Sequence, residues 1–368
     1  MPPAAQTPPL EDENLLREIL LRLPPLPSSL PRASLVCKRW LGSVSDPGFF
    51  RNFREHHGKP PLLCFFFVSG RGADFVPSLD PPDRIPAVRF SLPPQSHSEQ
   101  CWFFRDCRHG LCLFIDTTRP EAIVCDPITN QQRRIALPRE FIADKNWAFF
   151  HGGVVCVAGH GHVHGDCGLS PFKLVLLYNN TRASSVSACL YESESGALGN
   201  IASKTIPGAI AFITPSILVG NALFWLSQHG RILEFDIENQ SLAVTEKPEK
   251  HQNTKWNHCQ VLRKQENRLG LVVLTGPYIE IWAREVNSDG FARMVLQKTV
   301  ELHKLLQLGS STPWTYRPQL QGFDEETGAI FLSWGIRLRL FGLPLQLLGL
   351  LEPKSYSPNK QQEIEKRF

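Results

Sequence analysis

Residues Gly110–Asn130 read GLCLFIDTTRPEAIVCDPITN, and residues Gly220–Asn239 read GNALFWLSQHGRILEFDIEN. Both follow one grammar. A glycine opens an apolar strand, a polar turn follows, a second apolar strand ends in Asp, and another turn closes the unit. The apolar runs are short, rich in Leu, Ile, Val and Phe, and bounded by Gly, Pro, Asn and Asp. That is the pattern of strands, not of helices.

Runs of the same kind stand at 62–68, 149–157, 172–178, 269–274 and 329–334. Turn signals recur at Ser193-Glu194-Ser195-Gly196, Asn287-Ser288-Asp289-Gly290 and Glu325-Glu326-Thr327-Gly328. Successive markers lie about 40–50 residues apart, with one longer interval, which is the period of four-stranded propeller blades. The expected fold is therefore a large all-β domain, a β-propeller, with a pair of β-sandwiches as the competing architecture. Asp126, Asp236 and Asp324 recur at its turns, where Asx bonding accounts for them better than catalysis does.

The pattern changes upstream of Pro61. Leu15, Leu16, Ile19, Leu20 and Leu23 recur at helical spacing, so residues 12–23 read as an amphipathic helix. Glu11, Asp12 and Glu13 favour its start, and Pro24, Pro25 and Pro27 end it. A second helix is expected from Ser28 or Ser29, with Leu35, Val36 and Trp40 on its apolar face and Pro31 confined to its first turn. Asp46-Pro47-Gly48 signals a turn, after which Phe49, Phe50 and Phe53 pack back on the helices. The expected organisation is a disordered start over 1–9, a helical module over 10–55, a linker over 56–61, the β domain over 62–351 and a disordered tail over 352–368. Near the end, Ile336, Leu338 and Leu340 share the face of a short strand over 336–340. Pro344 blocks a central strand, so the ring is expected to close imperfectly there, with 341–351 packed on the last blade.

The segment 10–53, LEDENLLREILLRLPPLPSSLPRASLVCKRWLGSVSDPGFFRNF, closely resembles an F-box. The specific parts are the Leu23-Pro24 break after the first helix and the ending Cys37-Lys38-Arg39-Trp40. Pro31 departs from the family, which usually carries an apolar helix former there, and implies a shortened second helix. The β domain is similar to the F-box-associated propellers of plant F-box proteins, on Val124-Cys125-Asp126-Pro127-Ile128-Thr129-Asn130 and Gly322-Phe323-Asp324-Glu325-Glu326-Thr327-Gly328. The resemblance implies a non-catalytic subunit of an SCF-type ubiquitin ligase. Leu15, Leu16, Ile19, Leu20, Leu23, Pro24, Leu35, Val36 and Trp40 would serve a Skp-type adaptor and, through it, cullin. The β domain would hold a target protein. The alternative is a propeller that binds peptide or carbohydrate, with Trp102, Trp147, Trp256 and Trp314 as candidate contacts, and whose F-box acts outside a cullin complex.

Other chemistry is poorly supported. A formal net charge of +4 is too mild for a nucleic-acid binder. The ten cysteines form no CxxC pair and read as free, buried thiols of a reducing compartment, cytoplasmic or nuclear. No run is apolar over the roughly 20 residues that a bilayer span needs. Cys156, His160, His162, His164, Asp166 and Cys167 fall within twelve residues, but their spacing fits no common zinc module, and a Gly-rich hairpin tip is the simpler account. There is no GxSxG elbow and no P-loop, so neither metal, cofactor nor catalytic residues are expected.

Overall fold

The computed structural model describes residues 12–58, 61–69, 72–86, 102–116, 121–127, 129, 131–142, 148–157, 169, 171–180, 183–206, 214–227, 230–264, 267–286, 292–302, 318–325, 328–334 and 339–344. The chain divides into two compact units, 1–94 with 159–167, and 95–158 with 168–368.

The first unit carries helices α1 (Glu13–Leu21), α2 (Ser29–Ser34), α3 (Lys38–Ser45) and α4 (Pro47–His57), then a hairpin of β1 (Cys64–Ser69) and β2 (Gly72–Pro77). Asp12 caps α1 by accepting from the amides of Asn14 and Leu15. Asp46 does the same for α4, accepting from Gly48 and Phe49, and also receives Arg17 of α1 at 2.9 Å. The Gly48 amide leads in holding the Asp46 carboxyl below its usual range. Leu16, Leu20, Leu30, Ala33, Phe49 and Phe53 form the core, with Leu23, Trp40 and Phe50 packed at its edge. Two expectations are corrected. The second helix is broken, because α2 stops at Ser34 and α3 starts only at Lys38, leaving Leu35 and Val36 between them. The helical part also runs into the expected linker, because α4 continues to His57 and Gly58 caps it with φ 68°.

Among the described residues, the second unit holds five antiparallel sheets, taken in chain order. The first holds β3 (Trp102–Arg108), β4 (Leu111–Asp116), β5 (Glu121–Asp126) and β6 (Gln131–Ala136), followed by the short helix α5 (Arg139–Ile142). The second holds β7 (Ala148–Cys156), β8 (Phe172–Asn180), β9 (Ser185–Glu192) and β10 (Ala202–Thr205). The third holds β11 (Ile217–Val219), β12 (Ala222–Leu226), β13 (Arg231–Asp236) and β14 (Ser241–Glu246). The fourth holds β15 (Cys259–Arg263), β16 (Leu269–Thr275), β17 (Tyr278–Val286) and β18 (Ala292–Glu301). The fifth holds β19 (Gln319–Asp324), β20 (Ala329–Trp334) and β21 (Arg339–Pro344). Each sheet is a simple meander, which makes each a blade.

The apolar cores lie between blades. On β8, Leu174, Leu176 and Tyr178 face the first blade, while Val175 and Leu177 face the third. On β12, Leu223 and Trp225 face the second blade, while Ala222, Phe224 and Leu226 face the fourth. On β16, Leu271 and Val273 pack toward the third blade, Val272 and Leu274 toward the fifth. A strand covered on both faces must be apolar at successive positions, which is why these strands read as unbroken runs and not as an alternation.

Two glycines of β7 face close neighbours, the Val175 backbone on β8 of the same blade and side chains of the third blade. A Cβ added at Gly152 would lie 2.6 Å from the Val175 carbonyl oxygen, and one at Gly153 would lie 2.6 Å from Ser216 Oγ and 2.9 Å from Leu223. The Trp225 indole donates to the Gly152 carbonyl at 3.4 Å.

At the C-terminal end, a strand runs over 339–344, pairing Arg339 with Trp334 and Pro344 with Ala329, while residues 336–338 of the expected strand lie outside the described residues. Pro344 is the final residue of a strand with one partner among the described residues, a position that does not need its missing N–H. The expected packing of 345–351 and disorder of 1–9 and 352–368 lie outside the described residues.

His151 of β7 is buried, and burial, then the Arg105 charge, push it down to about 3. A histidine in the unfolded chain titrates near ~6.5. Between those values the unfolded state binds a proton that the folded state refuses. The stability tied to His151 is therefore intact above pH ~6.5 and is lost as the pH falls below it, by at most ~1.4 kcal/mol per unit. The urea midpoint is expected to drop between pH 7 and pH 5, and to drop less in His151→Asn. An unchanged pH slope in that variant would contradict the assignment.

Candidate functional site

Two regions gather the unusual side chains. The first is the surface of the helical unit. Leu35 is 84% exposed and Val36 62%, and Leu15, Ile19, Leu26 and Leu41 are exposed as well. Pro24 is exposed, and Leu23 and Trp40 are half-buried. Leu16 and Leu20, expected among the adaptor-facing residues, are 0% exposed in the module's own core and present no surface to a partner. Helical spacing placed them on the same stripe as Leu15 and Ile19, and spacing alone does not divide a wide stripe into an inner and an outer half.

The second region is a buried ion cluster in the bladed unit. Arg108, the last residue of β3, is 5% exposed, and its guanidinium meets three other blades. Nη1 donates to Asp106 Oδ2 at 3.1 Å, to the Val154 carbonyl at 2.9 Å and to Ser216 Oγ at 3.1 Å. Nη2 donates to the Ser216 carbonyl at 2.7 Å and to Glu325 Oε1, and Nε to both Glu325 oxygens at 3.2 Å. Asp106 Oδ2 also accepts from the Val154 amide at 3.0 Å and from Ser216 Oγ at 2.8 Å. Glu325 accepts from the Leu218 amide through its carboxylate, and from Arg263 Nη2 through its carbonyl at 2.9 Å. Donors and acceptors thus come from the first strand of four blades, or the residue beside it, and from the β19–β20 turn of the fifth. Burial raises the Asp106 carboxyl, against the pull of Arg108, Ser216 and Val154, and two carboxylates hold Arg108 firmly charged in spite of its burial.

A further polar cluster sits in the fourth blade. His251 Nε2 meets Glu280 Oε2 at 2.7 Å, the Trp282 indole donates to the same oxygen at 3.2 Å, and Thr254 Oγ1 lies 3.3 Å from His251 Nδ1. Burial pushes Glu280 up, but hydrogen bonds from His251 and Lys250 outweigh it and leave the carboxyl below its usual range. The cluster pins the 3-10 turn Glu249–His251 to β17.

The sequence reading missed both clusters. Arg108 sits two residues from Asp106 beside an apolar run, and Glu325 falls in a stretch that reads only as a turn. Of the five turn markers, Glu325–Gly328 alone lies between the first two strands of its blade and not between the third and fourth. The turn aspartates behave as expected where their contacts are described. Asp126 accepts from Thr129, and Asp236 from the amides of Glu238 and Asn239, which hold its carboxyl low. Trp102 is half-buried, whereas the side chains of Trp147, Trp256 and Trp314 lie outside the described residues, as do His160, His162, His164, Asp166 and Cys167. No group of three metal-ligating side chains is found among the described residues, nor a helix long and apolar enough to cross a membrane.

A four-helix unit followed by radially packed meander blades defines an F-box protein whose second part is a β-propeller. The F-box domain model matches residues 12–52, and the model described as "F-box protein AT5G49610-like, beta-propeller" matches residues 103–334, more than half of the chain. The chain belongs to this AT5G49610-like F-box β-propeller family. No curated protein matches it. Among solved structures it is similar to BamB from Moraxella catarrhalis (8% identity, 74% of this chain and 67% of that one, TM-score 0.35). It is also similar to the Cps50 (Swd1) β-propeller domain of Myceliophteria thermophila (14% identity, 66% and 70%, TM-score 0.36). F-box domains generally bind Skp-type adaptors, and this pairing of domains supports a general role in substrate recognition, typically as a non-catalytic adaptor.

Removing Arg108 would leave two carboxylates buried without their cation. Arg108→Met is expected to cost the chain ~3–5 kcal/mol in urea unfolding, with Arg108→Lys in between because it keeps the charge but not the fork. Arg263→Ala, which removes one hydrogen bond, is expected to cost ~1 kcal/mol. Equal stabilities for Arg108→Met and the parent chain would show that the cluster contributes nothing.

Proposed function

We propose that this chain is the substrate-recognition subunit of an SCF-type ubiquitin ligase, working in the cytoplasm, the nucleus or both. Its F-box docks a Skp-type adaptor, and through it cullin, while the propeller holds a target protein. The observation that carries the reading is the exposure of Leu35 and Val36 in the break between α2 and α3, beside a helical core already complete without them. Two adjacent branched aliphatic side chains left in water are costly for a module of this size, and a partner's groove would relieve that cost. Apart from Asp106 Oδ1, the carboxylate and guanidinium groups of the propeller's polar clusters are engaged in internal bonds, which suits a binding scaffold better than a reaction centre. The chain's part in ubiquitination is then proximity: a tethered target meets the conjugating enzyme at a raised effective concentration.

Leu15, Ile19, Pro24, Leu35 and Val36 form the adaptor-facing set in this reading, with Leu23 and Trp40 at its edge. Burying an aliphatic side chain is worth ~1.5–3 kcal/mol, so the double change Leu35→Asp, Val36→Asp is expected to weaken adaptor binding at least ~100-fold. Its helical circular dichroism and melting temperature should match the parent's. Leu20→Ala should do the reverse, destabilising the helical unit by ~2–5 kcal/mol through a core cavity. Adaptor recovered at parental levels with the Asp pair would overturn the docking assignment. Recovery of adaptor without cullin would favour a role outside the ligase.

A further inference from the structure

The β3–β4 hairpin carries two thiols directly opposite one another, Cys107 and Cys112. Its two-residue turn is His109-Gly110, with φ 53° and 82°, a conformation with both central residues left-handed. Such a turn is closed by hydrogen bonding between the residues that flank it, here Arg108 and Leu111. Hydrogen-bonded and non-hydrogen-bonded pairs alternate along an antiparallel ladder, which makes Cys107 and Cys112 a non-hydrogen-bonded pair, with Cα atoms about 4.5 Å apart. That spacing lies within the range of roughly 4.4–6.8 Å that a disulfide spans. The two Sγ atoms are already 3.4 Å apart. Cys107 is exposed and Cys112 is buried.

We propose that Cys107 and Cys112 form a reversible redox site, in which the exposed thiol is attacked first and the buried one resolves it into a cross-strand disulfide. The oxidant class is a low-molecular-weight disulfide such as oxidised glutathione. The Cys107 thiolate attacks one sulfur of that disulfide, whose S–S bond breaks and releases one small thiolate. The Cys112 thiolate then attacks Cys107 Sγ, displacing the second small thiolate. The sum is two protein thiols and one small disulfide giving one protein disulfide and two small thiols. Two electrons pass to the oxidant, and the protons of the protein thiols end on the released ones. Exposure decides the order, because only Cys107 can be reached from solvent. Cys125 stands opposite Cys112 on the other side of β4, the third sulfur in the row. Cys112 stands between it and Cys107, and the Cys125 thiol is pushed up to about 12, chiefly by burial, so it is not the partner that Cys107 meets. The site adjoins Arg108, so its oxidation would staple the hairpin that carries the buried ion cluster.

The test uses the full chain incubated with oxidised glutathione, then alkylated, cut with trypsin and weighed, alongside Cys107→Ser and Cys125→Ser. The expected product is the peptide Asp106–Arg108 joined to the peptide that begins at His109, with the loss of two alkylatable thiols. It should persist in Cys125→Ser, disappear in Cys107→Ser and be reversed by reduced glutathione. A cross-link that vanishes in Cys125→Ser would assign the partner wrongly. A Cys107 that stops at the mixed disulfide, or that does not react, would overturn the proposal.

Discussion

A guanidinium taken out of water is costly unless its donors are met, and the bladed unit is organised around one whose donors are. Isolated, the Arg108 charge would cost several kcal/mol to bury. Here it is answered by Asp106, Glu325, Ser216 and the Val154 carbonyl, which belong to four different blades. Aliphatic packing between sheets tolerates small slippage, whereas a planar fork with fixed donor directions does not. The cluster therefore fixes the register of the blades against one another, and the apolar interfaces supply the bulk of the cohesion.

That division follows from the strand chemistry. Leu174-Val175-Leu176-Leu177 and Leu223-Phe224-Trp225-Leu226 send alternate side chains to opposite neighbours, so the second and third blades are each glued on two sides. On β7 the side chain is dispensed with twice: Gly152 leaves room for the Val175 backbone of the neighbouring strand, and Gly153 for Ser216 and the Trp225 ring of the third blade. The helical unit solves a different problem. Its small core is completed by Leu16, Leu20, Phe49 and Phe53, and its remaining aliphatic side chains stay in water.

The blade grammar was legible because it is local. A glycine, an apolar run, a turn and an Asp are neighbours in sequence, and β4–β5 and β12–β13 fall where Gly110–Asn130 and Gly220–Asn239 place them. The F-box was legible for the same reason, from the helix stop at Leu23-Pro24 to the Trp40 that closes the motif. What could not be read depended on distance or on degree. Glu325 looked like one turn residue among many because its partner lies 217 positions away. Leu16 and Leu15 looked equivalent because the width of a helical stripe says nothing about where a neighbouring helix will cover it. The thiols were read as uniformly buried from their apolar neighbours, yet Cys37 and Cys107 are exposed, the latter because strand alternation turns it outward at a hairpin tip.

The span between Arg108 and Glu325 also sets a schedule. A chain emerging from the ribosome can assemble the first blade, and then its interface with the second, from residues already made. Until Glu325 arrives, Arg108 lacks the carboxylate that receives two of its nitrogens, and Leu218 lacks the acceptor for its amide. Contacts so remote in sequence form late, because the closure entropy must be met before they are rewarded. The first four blades can therefore pack as they are synthesised, but their mutual register is locked only when the first strand of the fifth and the turn after it have been made.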